Sequence, residues 1–107
     1  MNRVGLSATL AAREALRYTP AGIPIVMLTL SHQSVQREAG ADRSVDLEIS
    51  ALAADRVALK VDRIALGAAL TVQGFLAPRR RNAKALVLHL TEIELNPSSN
   101  VATFSEN

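Results

Sequence analysis

Residues 70–90 read LTVQGFLAPRRRNAKALVLHL. Leu70, Val72, Gly74 and Leu76 alternate with Thr71, Gln73 and Phe75, and farther on Leu86, Leu88 and Leu90 alternate with Val87 and His89. A period of two marks β-strands, each with one face turned to a core. Between the two runs, Arg79, Arg80, Arg81 and Lys84 place four cations and no acid in one short connection. The segment reads as a hairpin with a basic tip, and such a tip on a small β domain suits a phosphate backbone. The competing reading is a solvated loop, because isolated charge runs usually serve solubility. The rest of the chain decides between them.

Upstream, Val4, Leu6, Ala8 and Leu10 alternate with Gly5, Ser7 and Thr9, which predicts a first strand able to continue to Leu16. Tyr18-Thr19-Pro20-Ala21-Gly22 is a turn. Ile23 to Val35 is a second strand with Val26, Leu28, Leu30 and His32 on its inner face; Pro24 lies at its start, where a missing N–H is tolerated. Glu38 to Asp42 is another turn. Arg43 to Ala51 is a third strand, with Val45, Leu47 and Ile49 inward and Ser44, Asp46, Glu48 and Ser50 outward. Residues 51–66 fit either a short helix, through Ala53, Ala54, Val57, Ala58 and Val61, or an extended segment from Lys60 to Leu66. The 70–90 hairpin supplies the fourth and fifth strands, the fifth continuing to Ile93 and Leu95. One domain is expected over residues 1–96, followed by a polar tail, 97–107, expected to be disordered.

Five strands, with a longer connection between the third and fourth, is the element order of a five-stranded oligonucleotide/oligosaccharide-binding (OB) barrel, an all-β fold. An immunoglobulin-like sandwich needs about seven strands. In the OB barrel the ligand lies on the face of strands two and three, flanked by the connections joining strands one to two and four to five. Those connections, 17–22 and 78–84, hold Arg17, Tyr18, Arg79, Arg80, Arg81 and Lys84. The basic tip falls where this fold holds nucleic acid, which favours binding over the solvated loop. Arg37 and Arg43, around the 36–43 turn, are further candidate phosphate contacts, each with an acid close by in sequence. Tyr18 is placed either to stack on a base or to pack on Pro20. Phe75 reads as packing outside the barrel in preference to stacking.

Composition narrows the function classes. Of 107 residues, 49% are apolar, which excludes a disordered chain, but only Tyr18, Phe75 and Phe104 are aromatic, so the core is built from Leu, Val, Ile and Ala. The absence of cysteine excludes disulfides and thiolate metal sites and is compatible with a reducing cytoplasm. No apolar run approaches the roughly 20 residues of a membrane span, and no signal peptide is visible; a cytoplasmic location without membrane contact is expected. The formal net charge is only +2, but residues 64–91 hold four bases and no acid, while residues 31–63 hold five bases against six acids.

No catalytic constellation emerges. His32 and His89 each stand alone in a strand pattern, whereas a zinc site needs three or four ligands. Glu92 and Glu94, like Asp46 and Glu48, share one side of a strand and resemble acid/base pairs, but in outward, solvated positions. There is no Gly-x-Ser-x-Gly or phosphate-binding glycine loop. A non-enzyme without metal or cofactor is expected.

Several stretches together resemble the bacterial primosomal replication protein N family. They are Asn2-Arg3 leading into Leu6-Ser7; Pro20-Ala21-Gly22-Ile23-Pro24; His32 through Gly40 (HQSVQREAG); Thr71-Val72-Gln73-Gly74-Phe75; Val87-Leu88-His89; and Ile93-Glu94-Leu95. The resemblance covers about residues 2–95, and its specificity lies in the order and spacing of the pieces. It implies a homodimer with the single-stranded-DNA-binding-protein fold that binds single-stranded DNA, stabilises the primosomal restart helicase and helps recruit the helicase-loading factor. It also implies that Arg17 occupies a basic family position, and that Arg79, Arg80, Arg81 and Lys84 fill a loop that is lysine-rich in relatives. Two family positions that carry aromatic rings read Ala41 and Asp46. Because base-on-ring stacking is worth about 1–3 kcal/mol per base, their loss predicts weaker DNA binding, and a protein-interaction adaptor of the primosome is the alternative reading.

Overall fold

The apolar alternation in residues 4–10 continues to Arg13 as strand β1 (Val4–Arg13), the seam that closes the sheet on itself. The structure is a computed structural model and describes residues 1–97; from Ser98 onward the expected polar tail lies outside the described residues. After β1 come β2 (Arg17–Tyr18), β3 (Pro24–Glu38), β4 (Ala41–Ala54), helix α1 (Arg56–Asp62), β5 (Ala69–Pro78) and β6 (Leu86–Leu95).

β1 pairs antiparallel with β5 from Val4 to Thr9 and with β3 from Thr9 to Arg13. An irregularity between Leu10 and Ala12 leaves Ala11 without a partner and lets the strand bend from one neighbour to the other. β3 and β4 form a long hairpin, β5 and β6 a second one, and a short parallel pairing of Ala51–Ala53 with Leu88–Leu90 joins them. The ring β1-β3-β4-β6-β5-β1 is the closed five-stranded OB barrel. β2 is a two-residue ribbon on the outer edge of β3 and adds one element to the five expected.

The core follows the expected alternation. Leu10, Val26, Leu28, Leu30, Ala51, Ala53, Leu70, Val72, Leu88 and Leu90 point inward, and Ala58 and Val61 of α1 plug one end. Residues 51–66 thus divide: β4 runs on to Ala54, and a two-turn helix follows. In β6 the inward residues change phase, from Leu88 and Leu90 to Ile93. Gln73 pairs with Glu92 but Gly74 pairs with Leu90, so Thr91 is the extra residue of a bulge. Gly74 permits this close approach. A Cβ there would collide with the carbonyl oxygen of His89 and lie 2.9 Å from its carbonyl carbon.

Of the residues expected on inner faces, several are only half-buried, Val45, Ile49 and His32 among them, and Leu47, at 38%, and Leu86, at 52%, are exposed. Both keep their strand phase but lie where a strand runs past the barrel wall: Leu47 opposite His32 on the projecting β3–β4 hairpin, Leu86 at the mouth of the β5–β6 hairpin opposite Pro78. His32, at the same level, is hydrogen-bonded through both ring nitrogens. Nδ1 lies 2.6 Å from the Ser7 carbonyl and Nε2 lies 2.8 Å from Ser34 Oγ. A carbonyl only accepts, so Nδ1 carries the proton.

Candidate nucleic-acid interface

The outward residues of four neighbouring strands form one row across the barrel. Met27 is the register partner of Leu52, Leu52 of His89, and His89 of Phe75. Their flanking residues, Val26 and Leu28, Ala51 and Ala53, Leu88 and Leu90, are core residues, so strand alternation turns the row outward. The Phe75 and His89 rings stack with centroids 5.0 Å apart and planes 10° from parallel. Phe75 remains 40% exposed.

Arg17 reaches this row through β2, where it pairs with Ile25. The turn that follows is tied by Thr19, whose Oγ1 accepts from the Ile23 N–H and whose carbonyl accepts from the Gly22 N–H. From the opposite side comes the 79–85 loop, pinned at its base by the Arg79 N–H donating to the Ala85 carbonyl at 2.8 Å and within by Ala83 N–H to the Arg80 carbonyl at 2.9 Å. A hollow of about 310 Å³ is lined by Arg17, Arg79, Met27, Leu52, Val87, His89 and Glu14. A smaller neighbour, about 200 Å³, shares Glu14, Met27 and Arg79 and adds Ala12, Arg13, Leu28, Thr29 and Ser50. Two arginines far apart in sequence therefore stand at the rim of one partly apolar groove, with the exposed Arg80, Arg81 and Lys84 on the adjoining loop. None of these five side chains has an ion pair among the described residues.

The other expected residues fall differently. Tyr18 follows Arg17 on β2, so alternation sends it to the other face; it is 62% exposed and does not line the groove. Arg37 and Arg43 stand at the tip of the β3–β4 hairpin, away from the groove lining. Each is held across the turn by an acid: Arg37 to Asp42 at 2.8 Å, Arg43 to Glu38 at 3.4 Å. Ala41 and Asp46 lie on the same hairpin, opposite Glu38 and Gln33. Arg13 donates to the Val61 carbonyl at 3.3 Å and to the Ile64 carbonyl, capping the end of α1. Glu92 and Glu94 share a hollow of about 450 Å³ with Arg56 and Lys60, a charge-balanced surface rather than an isolated carboxylate pair.

Sequence reading missed Met27, Leu52 and His89 as groove residues; it read Phe75 as packing outside the barrel, and the ring does pack there, on His89. The available signal was apolar character in the wrong phase: Met27 and Leu52 sit at outward positions of strands whose inner faces are already complete. Which of these residues become neighbours depends on inter-strand register, which no single strand encodes.

A family model described as another single-strand binding protein family matches residues 2–92. The replication restart protein PriB of Bordetella pertussis is 45% identical over 92 residues, 86% of each chain. The structure of PriB from Ralstonia solanacearum superposes with a TM-score of 0.81 at 47% identity, covering 90% of this chain and 98% of that one. The single-stranded DNA-binding protein from Thermus aquaticus, in a deletion mutant, gives a TM-score of 0.71 at 27% identity, covering 90% of this chain and 50% of that one.

Proposed function

This chain belongs to the PriB family of replication restart proteins, and we propose that it is a single-stranded-DNA-binding accessory protein of the restart primosome. It acts in the cytoplasm, stabilises the restart helicase on DNA and helps recruit the factor that loads the replicative helicase. The observation that carries the reading is the meeting of Arg17 and Arg79 on opposite rims of the Met27–Leu52–His89–Phe75 row. Phosphates run along the rims, where Arg80, Arg81 and Lys84 extend the positive edge, and bases turn inward onto the apolar and aromatic floor. This is the division of labour of sequence-tolerant single-strand binders.

The test is fluorescence anisotropy of labelled oligo-dT, about 30 nucleotides long, titrated at salt from about 50 to about 300 mM. Each phosphate neutralised on a single strand contributes about −0.7 to the log–log salt slope, so five unpaired cations predict about −3.5 per protomer. A flat salt response would sink the phosphate-clamp mechanism.

The protein acts as a homodimer. β1 pairs with β5 from Val4 to Thr9, but its pairing with β3 begins only at Thr9, so over Val4–Ala8 its other edge has no strand partner, only the His32 ring on the Ser7 carbonyl, and is available to a second copy. A monomer in sedimentation at micromolar concentration would refute this.

One observation favours a second role, as a protein adaptor. The β3–β4 tip, with Arg37, Glu38, Asp42 and Arg43 paired across the turn, carries no net charge and suits a protein partner better than a phosphate chain. A pull-down of purified restart helicase checks it. Loss of the contact on replacing the tip residues, with DNA binding kept, assigns the tip to the helicase.

A further inference from the structure

One acid lies in the groove. Glu14 lines both hollows beside Arg79 and Met27, and its backbone N–H donates to the Met27 carbonyl at 2.8 Å, which anchors it at the edge of the apolar floor. Its side chain is exposed and makes no hydrogen bond or ion pair with Arg17 or Arg79. A free carboxylate repels phosphate, so a strand lying in this groove presents to Glu14 a base rather than its backbone.

An ionised carboxylate accepts hydrogen bonds and donates none, and its two oxygens take two parallel donors best. Guanine is the base with two adjacent donors on its Watson–Crick edge, N1–H and the N2 amino group. Cytosine and adenine set a single amino donor beside an acceptor, and thymine flanks its N3–H with two carbonyl oxygens. We propose that Glu14 is a base-reading residue: it accepts from N1–H and N2–H of a guanine lying on the Met27–Leu52–His89 floor, and so gives the groove a preference for guanine over thymine. The inference rests on the single-stranded-DNA reading above and adds a specificity to it.

The test compares three labelled oligomers of about 30 nucleotides by anisotropy at one low salt concentration. The first is oligo-dT. The second replaces every third thymine with guanine, with no two guanines adjacent, so that four-stranded guanine structures do not form. The third carries inosine, which lacks the N2 amino group, in place of each guanine. The wild-type chain is expected to bind the guanine oligomer about five-fold more tightly than oligo-dT, with inosine between them. In Glu14→Gln the preference should shrink to about two-fold or less, because the amide offers only one acceptor. A thermal melt of Glu14→Gln confirms an intact fold. Equal binding of all three oligomers by the wild type overturns the proposal and leaves the DNA reading standing. So does equal tightening of all three in Glu14→Gln, which makes Glu14 a repulsive charge and nothing more. Failure to bind any oligomer overturns the DNA reading and this inference together.

Discussion

The Phe75 ring lies stacked on the His89 ring, centroids 5.0 Å apart, on the outside of the barrel rather than in its core. The two are register partners on β5 and β6, so the hairpin itself sets the stack. The geometry is within the usual range of aromatic pairs. With aromatic residues scarce in this chain, the pair puts ring surface beside the groove, His89 in its lining and Phe75 next to it at the end of the row. Phe75→Ala is expected to weaken oligo-dT binding by about 1–3 kcal/mol, while the urea midpoint moves little, because the ring is already part-exposed. Unchanged anisotropy would remove Phe75 from the interface.

The arginines of the groove and of the hairpin tip should behave differently. Arg17→Ala and Arg79→Ala are each expected to reduce the magnitude of the salt slope by about 0.7. Arg37→Ala and Arg43→Ala should leave it nearly unchanged. Their exposed ion pairs are individually weak, worth at most about 1 kcal/mol, and a phosphate could displace the acid. The displaced Asp42 or Glu38 would remain beside that phosphate, however, and cancel most of the gain. Slopes that fall equally in all four variants would place DNA on the tip as well.

Gly74→Ala should be among the most damaging single-methyl substitutions. The added Cβ meets the backbone of His89 and Leu90, with no flexible side chain able to yield. A loss of about 2–4 kcal/mol in urea unfolding is expected, together with weakened DNA binding, because the bulge at Thr91 and the placement of His89 depend on that close approach.

At the β3–β4 tip, Ala39 and Gly40 have φ of 52° and 78°. Positive φ at both central residues is the requirement of a two-residue type I′ turn, for which Asn-Gly is the preferred pair. Alanine is strained there. Ala39→Asn is expected to stabilise the protein by about 0.5–1 kcal/mol, measured as a raised thermal midpoint.

Arg13→Met should destabilise by about 1–2 kcal/mol, because the carbonyls of Val61 and Ile64 lose a charged donor at the C-terminal end of α1. The salt slope of DNA binding should stay as it is, since Arg13 is spent on the fold. A slope that falls as it does for Arg79→Ala would return Arg13 to the interface.

Local pattern carried much of this molecule. The alternation of Val26, Leu28 and Leu30, or of Leu70 and Val72, determines a strand and its inner face, because each residue's direction depends only on its neighbours along the backbone. The glycine turn at Gly40 and the acid-free loop at 79–84 were legible for the same reason. Only the tertiary structure decided which of the basic residues meet. Barrel closure brings Arg17 and Arg79 to one groove, docking of α1 engages the Arg13 guanidinium on the Val61 and Ile64 carbonyls, and cross-strand register hands Arg37 to Asp42 and Arg43 to Glu38. The same register aligns Met27, Leu52, His89 and Phe75 into a floor and sets Glu14 at its edge. Periodicity says which face a side chain takes, whereas its neighbours on that face are chosen by the pairing of strands distant in sequence.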